Sequence, residues 1–299
     1  MCAFFSGRGR EGTRAPAVAG AFYPGTESSL KATVSEFLSN VEKRPIDGKL
    51  VALIAPHAGY VFSGQVAANA YKQIEGMNFD TVVLVGLSHR SPIRGVSVYK
   101  SGKYETPLGT VEIDSDLAEE LMANSEIFSF ESRAHAIEHS LEVQIPFLQQ
   151  VLSDFRIVPL LMRNWPKSVC LDVSSALVKT IRGKNVLLIA STDMSHYPVY
   201  DEAVKADKFT LSVLETMDTD LIREQLDEYM SKGVRELHCM LCGVGPVLVV
   251  MDAAKELGAD SIEILKYANS GDVPAGDRSG VVGYFAAAIY QKRLNRRSD

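Results

Sequence analysis

Three of the six histidines in this 299-residue chain sit in polar clusters that each follow a short apolar run. His57 follows residues 51–55 in Pro56-His57-Ala58-Gly59-Tyr60, and His89 follows 81–85 in Gly86-Leu87-Ser88-His89. His196 follows 186–190 in Ser191-Thr192-Asp193-Met194-Ser195-His196. A neutral imidazole offers a nitrogen lone pair to a proton or to a metal ion, and it changes charge near neutral pH. One histidine past a strand is commonly a loop residue bonded to backbone; the repetition is what points to a shared site. Cys239 and Cys242, in His238-Cys239-Met240-Leu241-Cys242-Gly243, open onto a helical pattern. The positive end of a helix favours a thiolate, the form of cysteine that binds metal. A lone C-x-x-C does not make a closed zinc site, so Cys242 is taken as a candidate and Cys239 as incidental.

A second arrangement competes. His135-Ala136-Ile137-Glu138-His139 matches H-x-x-E-H, in which two histidines four apart on one helical face bind zinc in inverted peptidases. Pro146 follows closely, so a helix is expected to begin only near His139 and to leave His135 outside it. The peptidase reading is therefore set aside. His139 and Glu142 are instead expected to orient a ligand from behind.

The elements that must position these residues are legible in outline. Apolar runs at 51–55, 81–85, 157–161 and 186–190 alternate with helical patterns at 64–74, 116–124, 141–152, 167–181, 201–217, 218–231 and 243–257. Continuous apolar runs of that length indicate strands buried on both faces of a largely parallel sheet. Pro92, Gly95, Gly102, Pro107 and Gly109 break the region 89–114 into an antiparallel excursion, and 261–267 and 280–290 are strand-like. The expected fold is α/β: a single domain with a central mixed, largely parallel sheet flanked by helices. In open sheets of this kind ligands bind outside the C-terminal ends of the strands, where the three histidine clusters would meet. Residues 1–14 are expected to be a flexible N-terminal segment, 15–291 the domain, and 292–299 a basic tail.

Composition narrows the function. With 37 acidic and 31 basic residues the formal charge is −6, which disfavours a general nucleic-acid surface. No apolar stretch approaches a membrane span, and the first 14 residues lack the apolar core of a signal peptide. Four cysteines in this length are too few for a disulfide scaffold. A reducing, cytoplasmic setting is expected, with neither nucleic acid nor membrane as partner.

Taken together, Ala55-Pro56-His57-Ala58-Gly59-Tyr60, Ser63-Gly64, Gly86-Leu87-Ser88-His89, Glu138-His139-Ser140-Leu141-Glu142, Ser191 through His196 and Cys242-Gly243 resemble the MEMO family. The likeness runs from about residue 17 to about residue 290. It is nearest to prokaryotic members, described as protein B of the AMMECR1–MEMO–radical-SAM system. The resemblance implies a fold similar to class III extradiol (LigB-type) dioxygenases, which hold iron with two histidines and a carboxylate. It also implies a metal pocket of His57, His89 and Cys242, with Asp193 and His196 as further pocket residues. His196 would be the acid/base group and Asp193 would orient it or a water. Tyr60 and Ser88, with His139 and Glu142, would contact substrate or support the ligands. A thiolate in place of a carboxylate softens the site toward Fe(II) or Cu(I), with Zn(II) possible; no nucleotide cofactor is indicated. The implied activity is that of a redox or dioxygenase-like enzyme, an oxidoreductase acting on an unknown small molecule or peptide. The alternatives are a non-catalytic ligand or phosphopeptide module using the same pocket, for which Arg90, Arg94 and Arg278 lie nearest the motifs, and an accessory protein of AMMECR1-like and radical-SAM partners.

Overall fold

Residues 12–163 and 166–293 are described by the computed structural model, and in them the apolar runs become strands buried on both faces. In chain order the elements are β1 (Thr13–Arg14), α1 (Glu27–Ser39), β2 (Gly48–Ala55), α2 (Tyr60–Lys72), β3 (Thr81–Leu87), β4 (Val96–Val98), β5 (Lys103–Thr106) and β6 (Gly109–Glu112). There follow α3 (Ser115–Ala123), β7 (Phe128–Ser129), α4 (Ser132–Ala136), α5 (Ile145–Val151), β8 (Arg156–Met162), α6 (Lys167–Ile181) and β9 (Val186–Ser191). The chain continues through α7 (Tyr200–Leu214), α8 (Thr219–Ser231), α9 (Val244–Glu256), β10 (Ser261–Asn269) and β11 (Gly283–Lys292).

The main sheet has eight strands in the order β10-β11-β2-β9-β3-β8-β4-β7. Its centre, β2-β9-β3-β8, is parallel, while β11 and β10 on one side and β4 on the other run antiparallel to their inner neighbours. A small sheet, β1-β5-β6, stands apart. Side chains alternate between faces with period two. Val83 and Val85 join the core formed with α3, α6, α7, α8 and α9, whereas Val82 and Leu84 join the core with α1, α2 and α5. Each fully buried side chain of this size contributes roughly 1.5–3 kcal/mol. Two filled cores explain why the strand sequences are apolar without alternation. Among the described residues no helix is long and apolar enough to cross a membrane.

The expected strands and the excursion at 89–114 are present, and α6 spans the expected 167–181. The differences are local. The helix expected over 141–152 starts as a single 3-10 turn, Glu142–Gln144, and becomes α5 at Ile145. Pro146 sits in its first turn, where the missing N–H costs nothing, so it opens the helix rather than breaking it. His135 lies inside α4 and His139 beyond its end, the reverse of the expected arrangement. Helix α1 precedes the alternating region and was not anticipated. The segment taken as flexible at 1–14 ends too late: Thr13–Arg14 pairs with Lys103–Tyr104, and Arg14 is buried. The tail boundary at 292 also shifts, because Lys292 closes β11; residues 1–11 and 294–299 lie outside the described residues.

Candidate metal centre

Strands β2, β9 and β3 lie adjacent and parallel, so their C-terminal ends share one rim. His57 follows β2, His89 follows β3, and Asp193 and His196 follow β9. Cys242 reaches the same place from the start of α9. Gly243 makes this approach possible: a Cβ there would stand 2.6 Å from the Ser191 carbonyl oxygen, and its N–H donates to Thr192 Oγ1 at 2.9 Å. Gly86 plays a similar part on β3, where a Cβ would stand 2.8 Å from Ser140 Oγ, and so lets the 138–142 segment lie against the strand.

The side chains of His57, His89 and Cys242 converge, with one potential ligand atom from each lying within 4.8 Å of the others. Cys242 Sγ is 3.2 Å from His57 Nε2, and the His57 and His89 rings meet edge to face at 5.0 Å between centroids. The hydrogen bonds on the far side of each ring fix its tautomer. Ser191 Oγ donates its proton to the Ser140 carbonyl at 2.6 Å, so it can only accept from His57 Nδ1–H at 2.9 Å. Glu138 Oε1, an acceptor, lies 2.9 Å from His89 Nδ1. His196 Nδ1 donates to the Met194 carbonyl at 2.8 Å. All three imidazoles therefore carry hydrogen on Nδ1, and the lone pair of each neutral ring lies on Nε2. Two such lone pairs beside a thiol form a donor set suited to a soft or borderline cation.

A second grouping, His89, Glu138 and His139, is equally compact, but its carboxylate is already occupied. Glu138 Oε1 accepts from His89 Nδ1, His139 N and Ser140 N, each at 2.9 Å, and Oε2 accepts from His89 N at 2.6 Å. Little lone-pair capacity remains for an ion. Burial works against the charge on Glu138, yet the hydrogen bonds from His89 and from the Ser140 backbone prevail and hold its pKa down at about 2. Glu138 is thus an anionic bracket for His89, the arrangement by which carboxylates orient and strengthen ligating imidazoles.

Charge is managed differently elsewhere in the site. Burial, helped by the neighbouring histidines, keeps His57 neutral far below the ordinary imidazole range. Burial also lowers His196 and brings His139 down to about 4. The Cys242 thiol is pushed well up by burial and by Asp193, so without an ion it keeps its proton and points at His57 Nε2. A bound cation would displace that proton. Asp193 is raised to about 7 by burial, despite the His57 N–H that its Oδ1 accepts at 2.7 Å.

The family model of the Memo-like proteins matches residues 14–288. A MEMO1 family protein of Methanothermobacter thermautotrophicus is 40% identical over 280 residues, covering 91% of this chain and 98% of the relative. This chain belongs to the MEMO family. Another MEMO1 family protein, from Thermotoga maritima, is 36% identical over 93% of this chain and 99% of its own length. The crystal structure of an uncharacterized protein from Escherichia coli K12 shares the fold with a TM-score of 0.56 and 18% identity, covering 81% of this chain and all of that one.

Within this MEMO-family chain, His57, His89, Asp193, His196 and Cys242 meet at one rim. Asp193 bonds the backbone of His57 rather than the His196 ring, because the turn after β9 brings its carboxylate under β2. His139 packs on His89 at 4.5 Å and lies beneath Phe22 at 4.9 Å. Glu142, expected to orient a ligand from behind, bonds the N-terminal segment, and the carboxylate that bonds a ligand ring is Glu138. Tyr60 is a core residue: its hydroxyl donates to the Val143 carbonyl at 2.7 Å and its ring packs against Tyr23 and Phe147. Ser88 closes its own loop by donating to the Ser91 carbonyl at 2.8 Å. His135 is excluded from metal binding, since Tyr104 OH and the Ser97 carbonyl engage its two nitrogens. Arg278 stacks over Tyr200 at 4.2 Å. Gln144, whose amide donates to Ser191 Oγ at 2.9 Å, and Arg14, paired with Glu142, carried no signal in the sequence; Ser191 and Glu138 stood inside quoted motifs without a role of their own.

Proposed function

We propose that this protein holds one Fe(II) or Cu(I) ion, with Zn(II) as a possible substitute, on His57, His89 and Cys242, and uses it in redox or dioxygenase-like chemistry. The observation that carries this reading is the locked direction of the two Nε2 lone pairs beside the Cys242 sulfur. The donor set fits such an ion: two neutral imidazoles and a displaceable thiol proton leave a bound divalent ion with charge to spare for an anionic ligand. The ion would supply Lewis acidity and one-electron chemistry. The chain's own residues do the rest. His196, with Nδ1–H on Met194 O, keeps Nε2 free to take a proton from a substrate hydroxyl and return it. Asp193, raised to about 7, gains or loses a proton near neutrality beside His57.

Anaerobic reconstitution followed by elemental analysis and an electronic spectrum tests the proposal. About one ion per chain is expected, with a thiolate-to-metal charge-transfer band that Cys242→Ser abolishes, and loss of binding in His57→Ala. Absence of binding by the wild type, or binding unchanged in both variants, sinks it.

A further inference from the structure

The segment that brackets both histidines has little regular structure of its own. Residues 137–141 lie between α4 and the 3-10 turn, yet their Glu138 orients His89, and their Ser140 carbonyl fixes the hydroxyl of Ser191 that orients His57. Something outside the segment must hold it. Ser140 Oγ ties it to the Leu87 carbonyl at 2.8 Å, and one buried guanidinium holds it from the other side of the chain. Arg14 Nε donates to the His135 carbonyl at 2.9 Å, one terminal nitrogen donates to the Glu138 carbonyl at 2.6 Å, and the other pairs with the Glu142 carboxylate. Its face lies over the Tyr104 ring at 4.9 Å. Glu142 in turn accepts from Ala17 N at 2.7 Å, Val18 N at 3.0 Å and the Tyr23 hydroxyl. The two side chains are 2% and 0% exposed, so neither is a solvated surface charge.

We propose that Arg14 and Glu142 are positioning residues for the metal centre: a buried ion pair straps the N-terminal segment to residues 135–142 and thereby fixes the tautomer and direction of His57 and His89. Neither residue touches the ligand atoms. Their effect passes along two short routes that both start where Arg14 holds the Glu138 carbonyl: through the Glu138 carboxylate to His89, and from that carboxylate to Ser140 N and on through the Ser140 carbonyl and Ser191 to His57. The planar fork is essential, because three acceptors in three directions are met by one guanidinium; a lysine ammonium in its place keeps the charge but not the geometry. The inference rests on His57 and His89 being ligands, as proposed above, but part of its test needs no ion.

The decisive measurement is the ring 15N shifts of His57 and His89 in the metal-free full chain, for the wild type, Arg14→Lys and Glu142→Gln, with Fe(II) titration under anaerobic conditions alongside. The wild type should show single Nδ1–H tautomers. Both variants should show mixed tautomers and Fe(II) affinity lowered roughly 10- to 100-fold, as for other partners behind a ligand. Asp218→Ala, which removes the cap of the distant helix α8, controls for general loss of stability and should leave tautomers and affinity unchanged. Folded Arg14→Lys and Glu142→Gln proteins with wild-type tautomers overturn the proposal. A wild type that binds no Fe(II) while its variants lose their tautomers sinks the metal reading and leaves the strap standing.

Discussion

The two flanks of the site treat buried carboxylates in opposite ways. On the flank formed by residues 135–142, Glu138 and Glu142 each accept at least four hydrogen bonds, and Glu142 is matched by Arg14. On the β9 flank, burial outweighs what Asp193 and Asp207 receive, raising them to about 7 and about 6. Asp207 accepts from Ser195 N at 3.0 Å and the Tyr267 hydroxyl at 2.8 Å, with no cationic side chain bonded to it among the described residues. Glu138, given four donors, is held ionised and acts as scaffold. Asp193 and Asp207, buried with fewer donors, sit near their titration points and can exchange protons. The site thus sets a fixed wall against a protonatable one.

The largest effect should come from breaking the fixed wall. Glu142→Gln leaves the Arg14 guanidinium buried without its counter-charge, and removing one member of a buried pair costs about 3–5 kcal/mol. Urea unfolding at pH 7 should show that loss in the midpoint, with the slope unchanged. A cost below about 1 kcal/mol would mean that Arg14 finds other acceptors, and the contrast between the flanks would fall.

The β9 flank was far more legible in sequence than the other. His57, His89 and His196 stood out because each follows an apolar run that must be a buried strand, and parallel strands bring their ends together. Cys242 was legible from its place just before a helix. The opposite flank left few marks. Arg14 shares its neighbourhood with Arg8 and Arg10 and has the look of a solvated terminus, while its partner lies 128 positions away. Charge along a chain says nothing of a partner so distant. Glu142 was noticed, but Glu138, the carboxylate that bonds His89 itself, was not, since two glutamates four apart in an irregular segment cannot be told apart by periodicity. Tyr60 and Ser88 stood inside the right motifs, yet a motif carries residues that shape its loop or fill the core beside those that face the ligand.

The next effect distinguishes the flanks by pH. His135 is buried beside Arg14, and burial lowers it to about 3 from 6.5. Because the folded value lies below the unfolded one, its contribution is complete above pH 6.5 and is lost as pH falls toward 3. Between pH 6.5 and 4 the wild type should lose about 3 kcal/mol through this group. His135→Gln, which does not titrate, should be less stable at pH 7 but lose less over that interval. Parallel stability curves for the two proteins would remove His135 as the source of acid sensitivity.

The smallest effect should appear on the protonatable wall, with the opposite sign. Asp207 has its folded pKa raised from 3.8 to about 6, chiefly by burial. The proton is bound more tightly in the folded state, so this group's contribution is present below pH 4 and is lost as pH rises through 6. Asp207→Asn keeps the shape, lets its amide oxygen accept from Ser195 N, and turns its NH2 toward the Tyr267 oxygen. Relative to wild type the variant should gain about 2 kcal/mol between pH 4 and 7, read as the difference between two denaturation series. That difference must grow with pH if burial with few donors leaves the acid near its titration point. A difference that stays flat would mean Asp207 is ionised throughout, and the two flanks would then hold their carboxylates alike.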